Sequence, residues 1–93
     1  MLGVVAQITV KQGAEAQFEE LANQMVQASR QEEGCLEYGL WRTEVAGQYA
    51  FVERYKDEAA VEAHRKSDHF RQIGRAMGAF MEGAPTVLRL TAV

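Results

Sequence analysis

Apolar and polar positions follow two periods along this chain, and the switches between them mark out its elements. Residues 2 to 10 (LGVVAQITV) are β-branched and apolar with little polar interruption, which predicts a strand covered on both faces. After a turn at Gly13, the residues Phe18, Leu21, Ala22, Met25 and Ala28 recur at three- and four-residue spacing. That predicts a helix from Ala14 to Gln31 with one buried stripe, stopped by Gly34. Residues 35 to 44 and Tyr49 to Lys56 read as strands, joined by the short connection Val45-Ala46-Gly47-Gln48, where glycine supplies a positive φ. Asp57 caps a short helix to Lys66, and Ser67 caps another to Met81 with Phe70, Ile73, Met77 and Phe80 on its inner stripe. Gly83 and Pro85 end that helix, and Thr86 to Val93 is a last strand.

The order β-α-β-β-α(α)-β is that of an α+β, ferredoxin-like split βαβ fold. It implies an antiparallel four-stranded sheet with helices on one side, built as one domain over residues 1–93. Alternation puts Leu36, Tyr38 and Leu40 on one side of the second strand and Cys35, Glu37, Gly39 and Trp41 on the other. In the third strand, Phe51, Glu53 and Tyr55 oppose Ala50, Val52 and Arg54. Apolar groups fall on both faces, but the helices cover only one. The bare face predicts a two-fold homodimer joined sheet to sheet.

Composition narrows the function classes. A net charge of −3 with no Lys/Arg run argues against nucleic acid. The apolar runs are too short to cross a membrane or act as a signal peptide. One cysteine rules out an internal disulfide and fits a reducing compartment, so the expected location is cytoplasmic.

Two blocks, EEGCLEYGL (residues 32–40) and FVERYKDEAAVEAHRKSDHF (residues 51–70), resemble the antibiotic biosynthesis monooxygenase family in its small, quinol-monooxygenase-like branch. The first begins with acidic residues before Gly-Cys and an aromatic strand. The second runs from Glu and an aromatic through a helix ending in His to Ser-x-His-Phe. The resemblance covers nearly the whole chain and implies a dimeric α+β barrel. For members that are enzymes, it implies oxygenation of an aromatic substrate by O2 with neither metal nor flavin.

The candidate catalytic residues are His64, Glu53 and His69. His64 lies on the side of its helix shared by Ala60 and Val61, so it faces inward. It is either a core histidine, bonded to a carbonyl or to Glu53, or the pocket acid/base that matches the family's histidine. Its position near a helix C-terminus favours the protonated form, which could stabilise a phenolate or a peroxide anion. His69 sits in the next helix's first turn, where a neutral imidazole could act as base, although a surface or interface place is the expected one. Glu53 needs a partner if buried, and Arg42, Arg89 and His64 are the candidates.

Tyr55, Trp41, Tyr38, Gln7 and Phe51 are the candidate substrate-binding residues, since a flat aromatic needs such walls and a few polar groups. Tyr49 reads as a core or interface aromatic. Met25, Met77, Phe80 and Met81 read as core, and Cys35 as a small buried hydrophobe. No metal or other cofactor is expected: the histidines are five apart across a helix break, with no carboxylate at ligand spacing. Haem degradation is disfavoured because RQIGRAMGAF (residues 71–80) lacks the ligating histidine of the related haem enzymes, and His64 stands where they place a tryptophan. The leading expectation is therefore a monooxygenase for a small quinol or phenol. The alternatives are a non-catalytic dimeric ligand-binding module, or acid/base isomerase or decarboxylase chemistry in the same cavity.

Overall fold

In the computed structural model, which describes all residues 1–93, the chain forms seven elements. They are β1 (Leu2–Thr9), α1 (Glu15–Arg30), β2 (Cys35–Arg42), β3 (Gln48–Tyr55), α2 (Glu58–Lys66), α3 (Asp68–Gly78) and β4 (Thr86–Thr91). The strands pair antiparallel in the order β2-β3-β1-β4, which is the ferredoxin-like arrangement expected. The caps also follow the sequence: Asp57 accepts from the Ala60 N–H, and Ser67 accepts from the Phe70 N–H. Gly47 in the hairpin takes φ +78.

Three local expectations are corrected. α3 ends at Gly78 rather than Met81, because the chain must extend to meet the end of β1. The Lys11 N–H donates to the Phe80 carbonyl, and Met81 bridges to Val10. Gly34 does not end α1 by a positive φ. A Cβ there would lie 2.4 Å from the Ala60 Cβ, so glycine is needed for the close approach of α2. Finally, a bulge between Cys35 and Glu37 shifts the β2 register, so Cys35, not Leu36, shares the inner face with Tyr38 and Leu40. Cys35 packs against the core, whereas Leu36 is exposed.

The core lies between the helices and one sheet face. Phe18, Ala22, Met25 and Val26 of α1 pack with Ile8, Tyr38, Tyr49, Phe51 and Met77. A smaller cluster of Tyr55, Ala60 and Val61 lies beside it, under α2. On the opposite sheet face the register groups Val5, Val52, Leu88 and Leu90 with Gly39 and Trp41. Trp41, Leu88 and Leu90 are exposed, so β1 is covered on one face only within this chain.

Candidate active site

The inner sheet face and the last two helices line an open cavity of about 750 Å³, within the range of small-molecule sites. β1 contributes Val4 and Ala6, β2 Tyr38, and β3 Phe51, Glu53 and Tyr55. α2 and α3 add His64, Phe70, Met77 and two glycines, Gly74 and Gly78. A Cβ at either glycine would meet nothing within 4 Å, which leaves this helix face open to the cavity.

His64 is the buried polar group of α2, 3% exposed. Its ring lies among Tyr38, Tyr55 and Phe70, with centroids 5.3, 5.6 and 4.9 Å away. Nδ1 is 2.8 Å from Glu32 Oε2, and Nε2 is buried without a partner. The same Glu32 oxygen is 2.5 Å from His69 Nε2. A carboxylate accepts from both rings only if each presents an N–H. The shared oxygen therefore favours the His64 tautomer with the proton on Nδ1 and a lone pair on Nε2.

Burial decides the charge state of His64. Loss of solvent lowers its pKa from the ordinary 6.5 and outweighs the opposing pull of Glu32, with His69 lowering it further. Burial thus works against the protonated form expected from the helix end and favours a neutral His64. His69 is not a free surface residue, since Glu32 holds it against His64.

Glu53 is 6% exposed, and none of its expected partners reaches it. Arg42 pairs with Glu19, Arg89 with Glu58, and His64 with Glu32. Glu53 instead accepts from the Tyr55 hydroxyl at 2.6 Å, two residues along the same strand face. Burial pushes its pKa from 4.5 up to about 7, the Tyr55 bond opposes that, and the charge on Glu32 adds to it. Burial also pushes the Tyr38 and Tyr55 hydroxyls far above their ordinary range, so both stay protonated. Cys35 is likewise pushed up to about 11 by burial, which leaves an inert thiol.

The structure brings His64, Glu53, Tyr55, Tyr38 and Phe51 to one cavity. It does not bring Gln7, Trp41 or His69 to the cavity lining; His69 meets Glu32 instead. Gln7 and Trp41 both pair with Ala50, on the outer sheet face, because strict alternation along β1 and β2 turns them away. Tyr49 donates to Glu19 within the core edge and lies outside the cavity lining. The residue that sequence reading missed is Glu32. It lies in the loop between α1 and β2, 32 residues from His64 in sequence, so no local spacing connects the two. The acidic start of the EEGC block was the available signal.

Glu32, His64 and His69 also correct the premise that no carboxylate joins the histidines. One ligand atom from each lies within 4.8 Å of the others. Two histidines and a carboxylate are a donor set for transition metals. The contacts here have the lengths of hydrogen bonds, which accounts for the Glu32 oxygen and the two ring nitrogens without an ion.

Known proteins resemble this chain in sequence and in fold. Residues 1–76 match the family described as antibiotic biosynthesis monooxygenase. The chain is 38% identical over 73 residues to YcnE of Bacillus subtilis, provisionally named a monooxygenase, covering 76% of each. It is 29% identical over 69 residues to Rv0793 of Mycobacterium tuberculosis, named in the same way, covering 74% of this chain and 68% of that protein. The solved structure of Rv0793 superposes with a TM-score of 0.92, over 99% of this chain and 94% of that one. A Caulobacter crescentus structure, provisionally described as an antibiotic biosynthesis monooxygenase, is 36% identical. It gives a TM-score of 0.95, covering 99% of this chain and 89% of that one.

Proposed function

Since the chain belongs to the antibiotic biosynthesis monooxygenase family, we propose that it oxidises a quinol or related phenol with O2, using neither metal nor flavin. The observation that carries this reading is His64: a buried imidazole lining an apolar cavity, with Nδ1 held by Glu32 and Nε2 unpartnered, in surroundings that favour its neutral form. Such a group takes a proton from a hydroxyl presented at Nε2. Glu32 acts as a positioning residue, fixing the tautomer and stabilising the imidazolium that forms.

Deprotonation makes the quinol an electron-rich anion that passes one electron to O2. The resulting radical pair combines into a ring peroxide, and O–O cleavage leaves one oxygen on the carbon and releases the other as water. The quinol supplies all four electrons and ends as a hydroxyquinone, so no external reductant is required. The chain's part is to exclude water, orient the ring between Tyr38, Phe51 and Phe70, and move the proton. Glu53, poised near neutrality, and the Tyr55 hydroxyl are the second polar pair that a substrate oxygen meets. A homodimer joined through the outer sheet face and a cytoplasmic location complete the proposal. No helix is long and apolar enough to cross a membrane.

The test is O2 uptake with menadiol. His64→Ala is expected to lower the rate about 10²–10⁴-fold while keeping the fold by circular dichroism. A wild-type rate equal to that of buffer removes the enzymatic claim. Ligand-induced thermal stabilisation without turnover would then favour the binding-module reading, and turnover without O2 loss the isomerase or decarboxylase reading.

A further inference from the structure

The charges around the cavity do not match those of the chain. The protein carries 13 acidic residues and a net charge of −3. Only one acid, Glu53, lines the cavity, and it lies on the floor with its carboxyl half-neutralised near pH 7. Four of the seven arginines line it: Arg65 on α2, Arg71 and Arg75 on α3, and Arg89 on β4. All four are exposed, so they form the mouth, whereas His64 and Glu53 are buried.

Three of these arginines have an acidic neighbour outside the lining. Arg89 pairs with Glu58 at 3.0 Å, Arg71 with Asp68 at 2.8 Å, and Arg65 with Glu62 at 3.7 Å. Each pair is solvent-exposed and of the kind that contributes little. Arg75 has neither a salt bridge nor a side-chain hydrogen bond. It stands one turn beyond Arg71 on the same helix face, beside the open surface left by Gly74 and Gly78. Arginines gathered at an apolar mouth, one without a partner, suit a planar acid group that accepts two N–H bonds at once.

From this we infer that the substrate is an aromatic acid: a quinol or phenol whose ring enters the cavity and whose ionised acid group stays at the mouth, held by Arg75 with Arg71 beside it. The inference rests on the reading of the cavity as a substrate site and specifies its substrate class. An acid at the mouth and a hydroxyl at the floor fix which end of the ring meets His64. Arg75 is thus a specificity-determining residue.

The test uses probes that are not oxidised, so that it stands apart from turnover. Calorimetric affinities of 2-naphthoate and its neutral isostere 2-naphthamide are compared at low ionic strength. The acid is expected to bind about tenfold more tightly, with the preference shrinking at high salt. Arg75→Gln is expected to bring the ratio close to one while leaving naphthamide affinity in place, and Arg75→Lys to keep part of it. Equal affinities in the wild-type protein, or a ratio unchanged by Arg75→Gln, overturn the inference whatever the oxygen assay shows. Acid preference without O2 uptake would support it and remove only the oxygenase chemistry.

Discussion

At the scale of single residues, one carboxylate oxygen of Glu32 organises two histidines, and its effect on His64 can be read from pH. A base must be neutral to act, and burial holds the His64 pKa below 6.5. The rate should therefore reach its plateau on the alkaline side and fall as pH drops through the lowered pKa, at a pH below that of an ordinary histidine. Glu32 raises that pKa, so Glu32→Gln should move the acid limb to lower pH and lower the plateau by at least about tenfold. A plateau that falls with an unmoved limb would mean Glu32 acts only on packing. Glu53 makes a separate prediction about stability. Its pKa rises from 4.5 to about 7 on folding, so the folded state binds more protons between those values. Stability is then lost as pH rises from about 4.5 to about 7, by up to roughly 3 kcal/mol. Glu53→Gln should match the wild type near pH 4.5 and exceed it at pH 8, as measured by urea unfolding. His64 has the opposite sign, but it is common to both proteins and cancels in the comparison. Equal wild-type and variant stabilities at pH 8 would show that Glu53 is not desolvated in solution.

At the scale of elements, Gly34 couples the loop that carries Glu32 to the helix that carries His64. A methyl group at residue 34 overlaps the Ala60 Cβ at 2.4 Å. Gly34→Ala should therefore cost about 1–3 kcal/mol, while Ala60→Gly alone costs about 1 kcal/mol in helix propensity. The double variant should be more stable than the sum of the two, because the overlap is gone. Simple additivity in urea midpoints would refute the contact. Element order, caps and the hairpin were legible in the sequence because each is written in neighbouring residues: Asp57 and Ser67 as caps, Gly47 at the turn, the α1 stripe from Phe18 to Met25. The β2 bulge was not, because alternation gives no sign of one extra residue and so puts Leu36 on the inner face that Cys35 occupies. The site was legible in its parts only. His64, Glu53 and Tyr55 stand out as polar groups in apolar patterns, but the pairing of Glu32 with His64 depends on how α1, α2 and α3 meet.

For the whole molecule, the sheet has two apolar faces and this chain covers one. Trp41, Leu88 and Leu90 stand 62%, 58% and 46% exposed beside Val5 and Val52. An isolated chain of this size buries a modest share of its surface, so a second copy laid on this face adds core that the chain lacks, and two-fold symmetry lets the same patch serve both partners. The cavity lies on the other face of the sheet, away from this patch. Assembly and chemistry should then be separable. Leu88→Lys places a charge in the middle of the patch, opposite Val5, and should shift the sedimenting species from dimer to monomer. It should also lower the melting temperature, because the exposed face loses its cover, while any cavity binding of 2-naphthamide survives in the folded monomer. A wild-type protein that sediments as a monomer would refute the dimer. A variant that is monomeric, folded and unable to bind would show that the partner completes the site.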